Sequence, residues 1–90
     1  IKVEPPGGET ARYWAPLRGG TSHFFVATNG EKRSVVLDLR SAEGLASLKR
    51  LVADADVLVE NMKPGALAAM GLSPDALQRI NPRLVYCAIS

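Results

Sequence analysis

The sequence predicts an α/β fold, a mostly parallel β-sheet with flanking helices. Two observations carry that prediction. Short, largely β-branched runs ("SVVLDL", "VLVE", "LVYCAI") alternate with segments of helical period, the grammar of strands joined by right-handed helical crossovers. Ser41 and Ser73 each stand immediately before such a helical segment, where a hydroxyl can accept from the unpaired N–H groups of a first turn.

The elements follow in order. "IKVE" reads as a strand ending at Glu4, and "PPGGET" as loop, because Pro5 and Pro6 cannot donate to a ladder and Gly7-Gly8 break a helix. Residues 10–22 show no period, and "RGGTS" marks a second loop. The stretch 23–30 is open on its residues alone. Asn29-Gly30 between apolar runs signals a hairpin, while His23–Thr28 equally suits a short helix. Ser34–Leu39 is predicted as a strand. Next comes the clearest helix, with Ser41 as cap, Glu43 at the positive end of the dipole, and Leu45, Leu48 and Val52 at helical spacing. "VLVE" is short and almost wholly apolar, as in a strand covered on both faces. Pro64 is placed in the first turn of a short helix that Gly71 ends. Ser73, Pro74 and Asp75 open another, Asn81-Pro82 stop it, and "LVYCAI" is the last strand.

Composition narrows the function. Ninety residues suffice for one small domain with one core. The net charge of +2 is small, and the basic residues are scattered with few aromatics among them, which argues against a nucleic-acid partner. The longest apolar runs fall far short of the roughly 20 residues of a membrane span, so no membrane partner is expected. Cys87 is the sole cysteine, which rules out an intrachain disulfide, fits a cytoplasmic setting and reads as buried filler. His23 is the sole histidine, so a His/Cys metal cluster and a Ser-His or Cys-His pair are not expected. The chain opens on one strand-like segment without an initiator Met and closes on another, as a piece of a longer chain would.

In open parallel sheets, ligands lie beyond the carboxyl ends of the strands. That places Glu4 and Pro5 at one such end, Leu37, Asp38, Leu39 and Arg40 at a second, and Glu60, Asn61, Met62 and Lys63 at a third. A helix start behind Lys63 would favour an anion, and Lys63 and Arg40 would add mobile positive charge. The plainer alternatives are that Asn61 forms a turn, Lys63 is solvated and Arg40 flanks the Ser41 cap. Asp38 and Glu60 as an acid–base pair have no support without a distance, and "PPGG" lacks the spacing of a phosphate-binding loop.

Three stretches taken together resemble the family III CoA-transferases. They are "IKVEPPGGETAR", "FFVATNGEKRSVVLDLRSAEGLASLKRLVADADVLVENMKPGALAAMGL" and "INPRLVYCAIS". The resemblance implies a fragment of a Rossmann-like large domain, with residues 1–90 forming part of it, and a homodimer of two interlocked subunits. It also implies a helix over residues 23–28. The activity implied is transfer of CoA from an acyl-CoA to a free carboxylic acid through an aspartyl-acyl anhydride. Coenzyme A is then a substrate and no metal is needed. The aspartate is expected outside this chain, so no catalytic residue is assigned. The implied CoA-binding residues are Leu37, Asp38, Leu39 and Arg40 toward adenine and ribose, and Asn61, Met62 and Lys63 toward the nucleotide and pantetheine arm. Two positions depart from some relatives, which carry basic residues where Pro5 and Ala69 stand here. An α-methylacyl-CoA racemase, sharing this segment, and a non-catalytic CoA-binding or assembly piece are the rival readings; Glu60-Asn61 leans toward the transferase.

Overall fold

The computed structural model describes residues 1–89, and the chain divides into two units, Ile1–Asp38 and a second from Leu39 onward.

In the first unit β1 (Lys2–Glu4) pairs in parallel with the later strand of the unit, Lys2 facing Ser34 and Glu4 facing Val36. Between them run a 3₁₀ turn (Thr10–Tyr13) and a small antiparallel ladder of β2 (Leu17–Arg18) and β3 (Thr21–Ser22). Its turn residues Gly19 and Gly20 both have positive φ, 58° and 79°, the backbone a two-residue hairpin requires and glycine adopts without a Cβ penalty. Helix α1 (His23–Thr28) follows, capped by the buried Ser22 hydroxyl, which accepts from the Phe25 N–H at 3.3 Å.

The structure thus decides the open stretch in favour of helix and against a hairpin at Asn29-Gly30. Asn29 has φ −125°, not the positive φ of a two-residue hairpin turn, and its side-chain amide donates to the Phe25 carbonyl at 2.9 Å to close the helix. Strand β4 (Ser34–Val36) is shorter than the Ser34–Leu39 expected. Its partner β1 ends at Glu4, so the ladder stops with one further bond, from the Leu37 N–H to the Glu4 carbonyl at 2.9 Å.

The second unit begins with α2 (Ala42–Asp54). The Ser41 hydroxyl caps it by accepting from the Gly44 N–H at 3.0 Å, and Glu43 lies in the first turn, both as expected. Leu48 and Val52 are buried and Leu45 half-buried. Strand β5 (Val57–Glu60) leads through α3 (Ala66–Ala69) and α4 (Pro74–Ile80) to β6 (Val85–Ala88), which pairs with β5 in parallel, Val57 facing Val85 and Glu60 facing Ala88. Leu67, Leu72 and Leu77 complete the buried apolar set of this unit. The Asn81 amide donates to the carbonyls of Val52 (3.0 Å) and Ala55 (2.8 Å). One side chain thereby satisfies orphan acceptors at the end of α2 while tying α4 to it.

Three local expectations are corrected here. Pro64 is not in a helical first turn, because Gly65 caps α3 with φ 82° and the helix starts at Ala66. Gly71 does end it, with φ 81° in the left-handed conformation favoured after a helix. Strand β5 is not covered on both faces: Val57 and Val59 are more than half exposed, whereas Leu58 is half-buried. Cys87 is exposed rather than buried, since the register sets it beside Val59 on that open face. Among the described residues no helix is long and apolar enough to cross a membrane.

The caps can be tested directly. The Ser73 hydroxyl accepts from the Ala76 N–H at 3.2 Å and sets the start of α4, which buries Leu77. Ser73→Ala is expected to lower the stability of this unit by about 1 kcal/mol, measured by denaturant unfolding, with Ser73→Asn close to wild type.

Candidate functional site

At the carboxyl end of β1 the structure builds a charged cluster that sequence reasoning missed. Glu4 is 1% exposed. Its Oε1 accepts from Arg12 Nε at 2.7 Å and from the Glu9 N–H at 2.9 Å. Its Oε2 accepts from Arg12 Nη2 at 2.7 Å and from the Ser34 hydroxyl. A planar guanidinium holding both oxygens is the strong form of an ion pair. Arg12 hydrogen bonding holds the Glu4 carboxyl well below the usual carboxylate range, against the upward push of burial and with help from Ser34 and the Glu9 amide. The same contact raises Arg12 further. Arg12 also lies over the Phe25 ring at 4.1 Å, a cation–π contact. Gly8 admits this arrangement: its φ is +86°, and a Cβ there would meet Arg12 Cδ at 2.7 Å. With both oxygens of Glu4 accepting from Arg12, Glu9 and Ser34, the cluster shapes the strand end. Leu37 and Asp38, both half-buried, sit at the same tip, beyond Val36.

The remaining predicted residues belong to the second unit. Leu39 (half-buried) and Arg40 (exposed) form the turn that enters α2. Asn61, Met62 and Lys63 leave the end of β5 as one exposed segment. The expected helix start immediately behind Lys63 is corrected. Pro64 and Gly65 intervene, the Lys63 carbonyl accepts from the Ala66 N–H at 3.0 Å, and α3 has only four residues. The macrodipole of a single turn adds little.

Glu60 is committed to contacts within its own unit. Its Oε1 accepts from the Tyr86 hydroxyl at 2.9 Å and its Oε2 from the Met62 N–H at 2.9 Å. Burial, then the Glu60 contact, pushes the Tyr86 phenol upward, so Tyr86 remains a protonated donor throughout the neutral range. Sequence alone offered no signal for Tyr86, because its role depends on the β5–β6 register.

Comparison with known proteins matches the whole of residues 1–90 to a family described as CoA-transferase family III. A succinate–glutarate CoA-transferase from Agrobacterium fabrum is 43% identical over 98 aligned residues, covering 100% of this chain and 24% of that protein. A human succinyl-CoA:glutarate CoA-transferase is 40% identical, covering 100% of this chain and 21% of that protein. Among solved structures, a CAIB/BAIF family protein from Brucella suis superposes with a TM-score of 0.90 at 44% identity, over 99% of this chain and 25% of that one. The chain therefore spans about a quarter of the length of the relatives it matches.

Proposed function

The chain belongs to the family III CoA-transferases, and from that premise we propose that it is part of an enzyme moving CoA between an acyl-CoA and a free carboxylic acid. In this reading residues 1–90 are part of the large, Rossmann-like domain and supply part of the CoA site. The observation that carries it is the match along all 90 residues, together with close relatives named as CoA-transferases.

Arg40 and Lys63 are both exposed, and they supply positive charge to the CoA phosphates. Asn61 supplies polar atoms, while Leu39 and Met62 give apolar contact. Leu37 and Asp38 face the adenine and ribose. By the family resemblance the reaction's nucleophile is an aspartate outside residues 1–90; Glu4 and Glu60 are both held in internal contacts. An aspartate elsewhere in the enzyme attacks the thioester carbonyl. The C–S bond breaks, CoA leaves as thiolate, and an aspartyl-acyl anhydride remains. The acceptor carboxylate then attacks the aspartyl carbonyl and displaces the donor acid as a free carboxylate. The CoA thiolate attacks the acceptor's carbonyl, forming the new thioester and freeing the aspartate. The enzyme works as a homodimer.

The test uses the full-length protein, acyl-CoA labelled in its acyl group and a panel of carboxylates. Small dicarboxylates lead the panel, because relatives are named for glutarate and oxalate. A new CoA thioester of the acceptor, with hydroxylamine converting an enzyme aspartate to its hydroxamate only when acyl-CoA is present, is the expected result. Exchange of the proton next to the thioester in heavy water, without transfer, would instead identify a racemase. CoA binding with neither reaction would leave a binding or assembly role.

A further inference from the structure

Within the second unit one carboxylate links the sheet to the segment that follows it. Alternate strand residues share a face, so Leu58 and Glu60 project from the same side of β5. The register places Tyr86 opposite Leu58, on that side too. From there the Tyr86 hydroxyl reaches Glu60 Oε1, and the Met62 N–H reaches Oε2, each at 2.9 Å. Asn61, Met62 and Lys63 have exposed side chains, so packing does little to set the path of this segment, and an anchored backbone does more.

We propose that Glu60 and Tyr86 are positioning residues for CoA: Tyr86 holds the Glu60 carboxylate, and Glu60 holds the Met62 amide, which fixes where Asn61 and Lys63 point. Neither residue touches CoA in this scheme. The gain is preorganisation, since a segment already held in place loses less conformational freedom when the ligand arrives. The inference rests on the CoA-site reading above, and the experiment separates the two.

In the full-length protein, the Kd for CoA is measured by calorimetry for wild type, Tyr86→Phe, Glu60→Ala, Lys63→Ala and the Tyr86→Phe/Lys63→Ala double variant. Turnover is measured at saturating acyl-CoA, and amide exchange is followed over residues 60–63. Tyr86→Phe keeps the ring and its packing and removes only the donor. It is expected to weaken CoA binding about three- to tenfold, to speed exchange at Met62 and to leave turnover at saturation near wild type. Glu60→Ala is expected to weaken binding at least as much. In the double variant the Tyr86 effect is expected to shrink, because a segment without its ammonium has less to aim. If Lys63→Ala weakens binding while Tyr86→Phe leaves Kd unchanged, or if the two effects simply add, the positioning role is overturned and the CoA site stands. If Lys63→Ala leaves Kd unchanged, the assignment of Lys63 fails and the positioning role fails with it.

Discussion

Arg12→Met is expected to loosen the first unit more than changes to its exposed loop residues, and to change that unit's response to acid. Glu4 is 1% exposed and Arg12 binds both its oxygens at 2.7 Å. Methionine preserves much of the length over Phe25 while leaving the carboxylate with only the neutral donors of Glu9 and Ser34. A buried charge stripped of its counter-charge costs far more than a broken surface pair. Amide exchange over residues 1–38 of the full-length protein, corrected for intrinsic rates, is expected to speed up about tenfold or more at pH 7.

The pH dependence has a definite sign. The folded-state pKa of Glu4 lies below its ordinary value of 4.5, chiefly through Arg12. The pair's stabilisation is therefore fully present above about pH 4.5 and is lost as pH falls toward the folded value. In Arg12→Met the largest depressing cause is gone and burial opposes the rest, so protection is expected to depend less steeply on acid below that pH. Equal protection and equal acid sensitivity in the two proteins would show that the guanidinium contributes nothing to holding Glu4.

Combined Arg40→Ala and Lys63→Ala substitution is expected to weaken CoA binding by the full-length enzyme about a hundredfold, roughly tenfold for each charge-assisted phosphate contact removed. Both side chains are exposed, so neither change removes buried packing, and thermal stability is expected to stay near wild type. Raising ionic strength should weaken the wild type more than the double variant, since fewer charges remain to be screened. Calorimetric titration with CoA at two salt concentrations checks both statements. An unchanged Kd would remove Arg40 and Lys63 from the site.

Much of the fold was legible because it is encoded locally. The Ser41 and Ser73 hydroxyls capped the helices they precede, and Gly71 took the left-handed conformation that ends α3. Where two local signals competed, at residues 23–30, the residues alone could not choose. Ser22 and Asn29 decided it by capping both ends of α1, and the family resemblance pointed the same way. The expectation of a strand covered on both faces failed at Val57 and Val59, because three apolar residues in a row report a buried strand only if something lies on each side of it.

The sequence by itself determined the family, the alternation of strands and helices and the candidate CoA segments, all of which rest on short-range spacing and on motifs read in order. Only the tertiary structure decided that Glu4 is a buried anion held by Arg12, that Glu60 is tied to Tyr86, and that Cys87 faces outward. The physical reason is register. Ser34 reaches Glu4 across 30 positions and Tyr86 reaches Glu60 across 26, and pairing between distant strands, which no local period records, places those atoms within hydrogen-bonding distance.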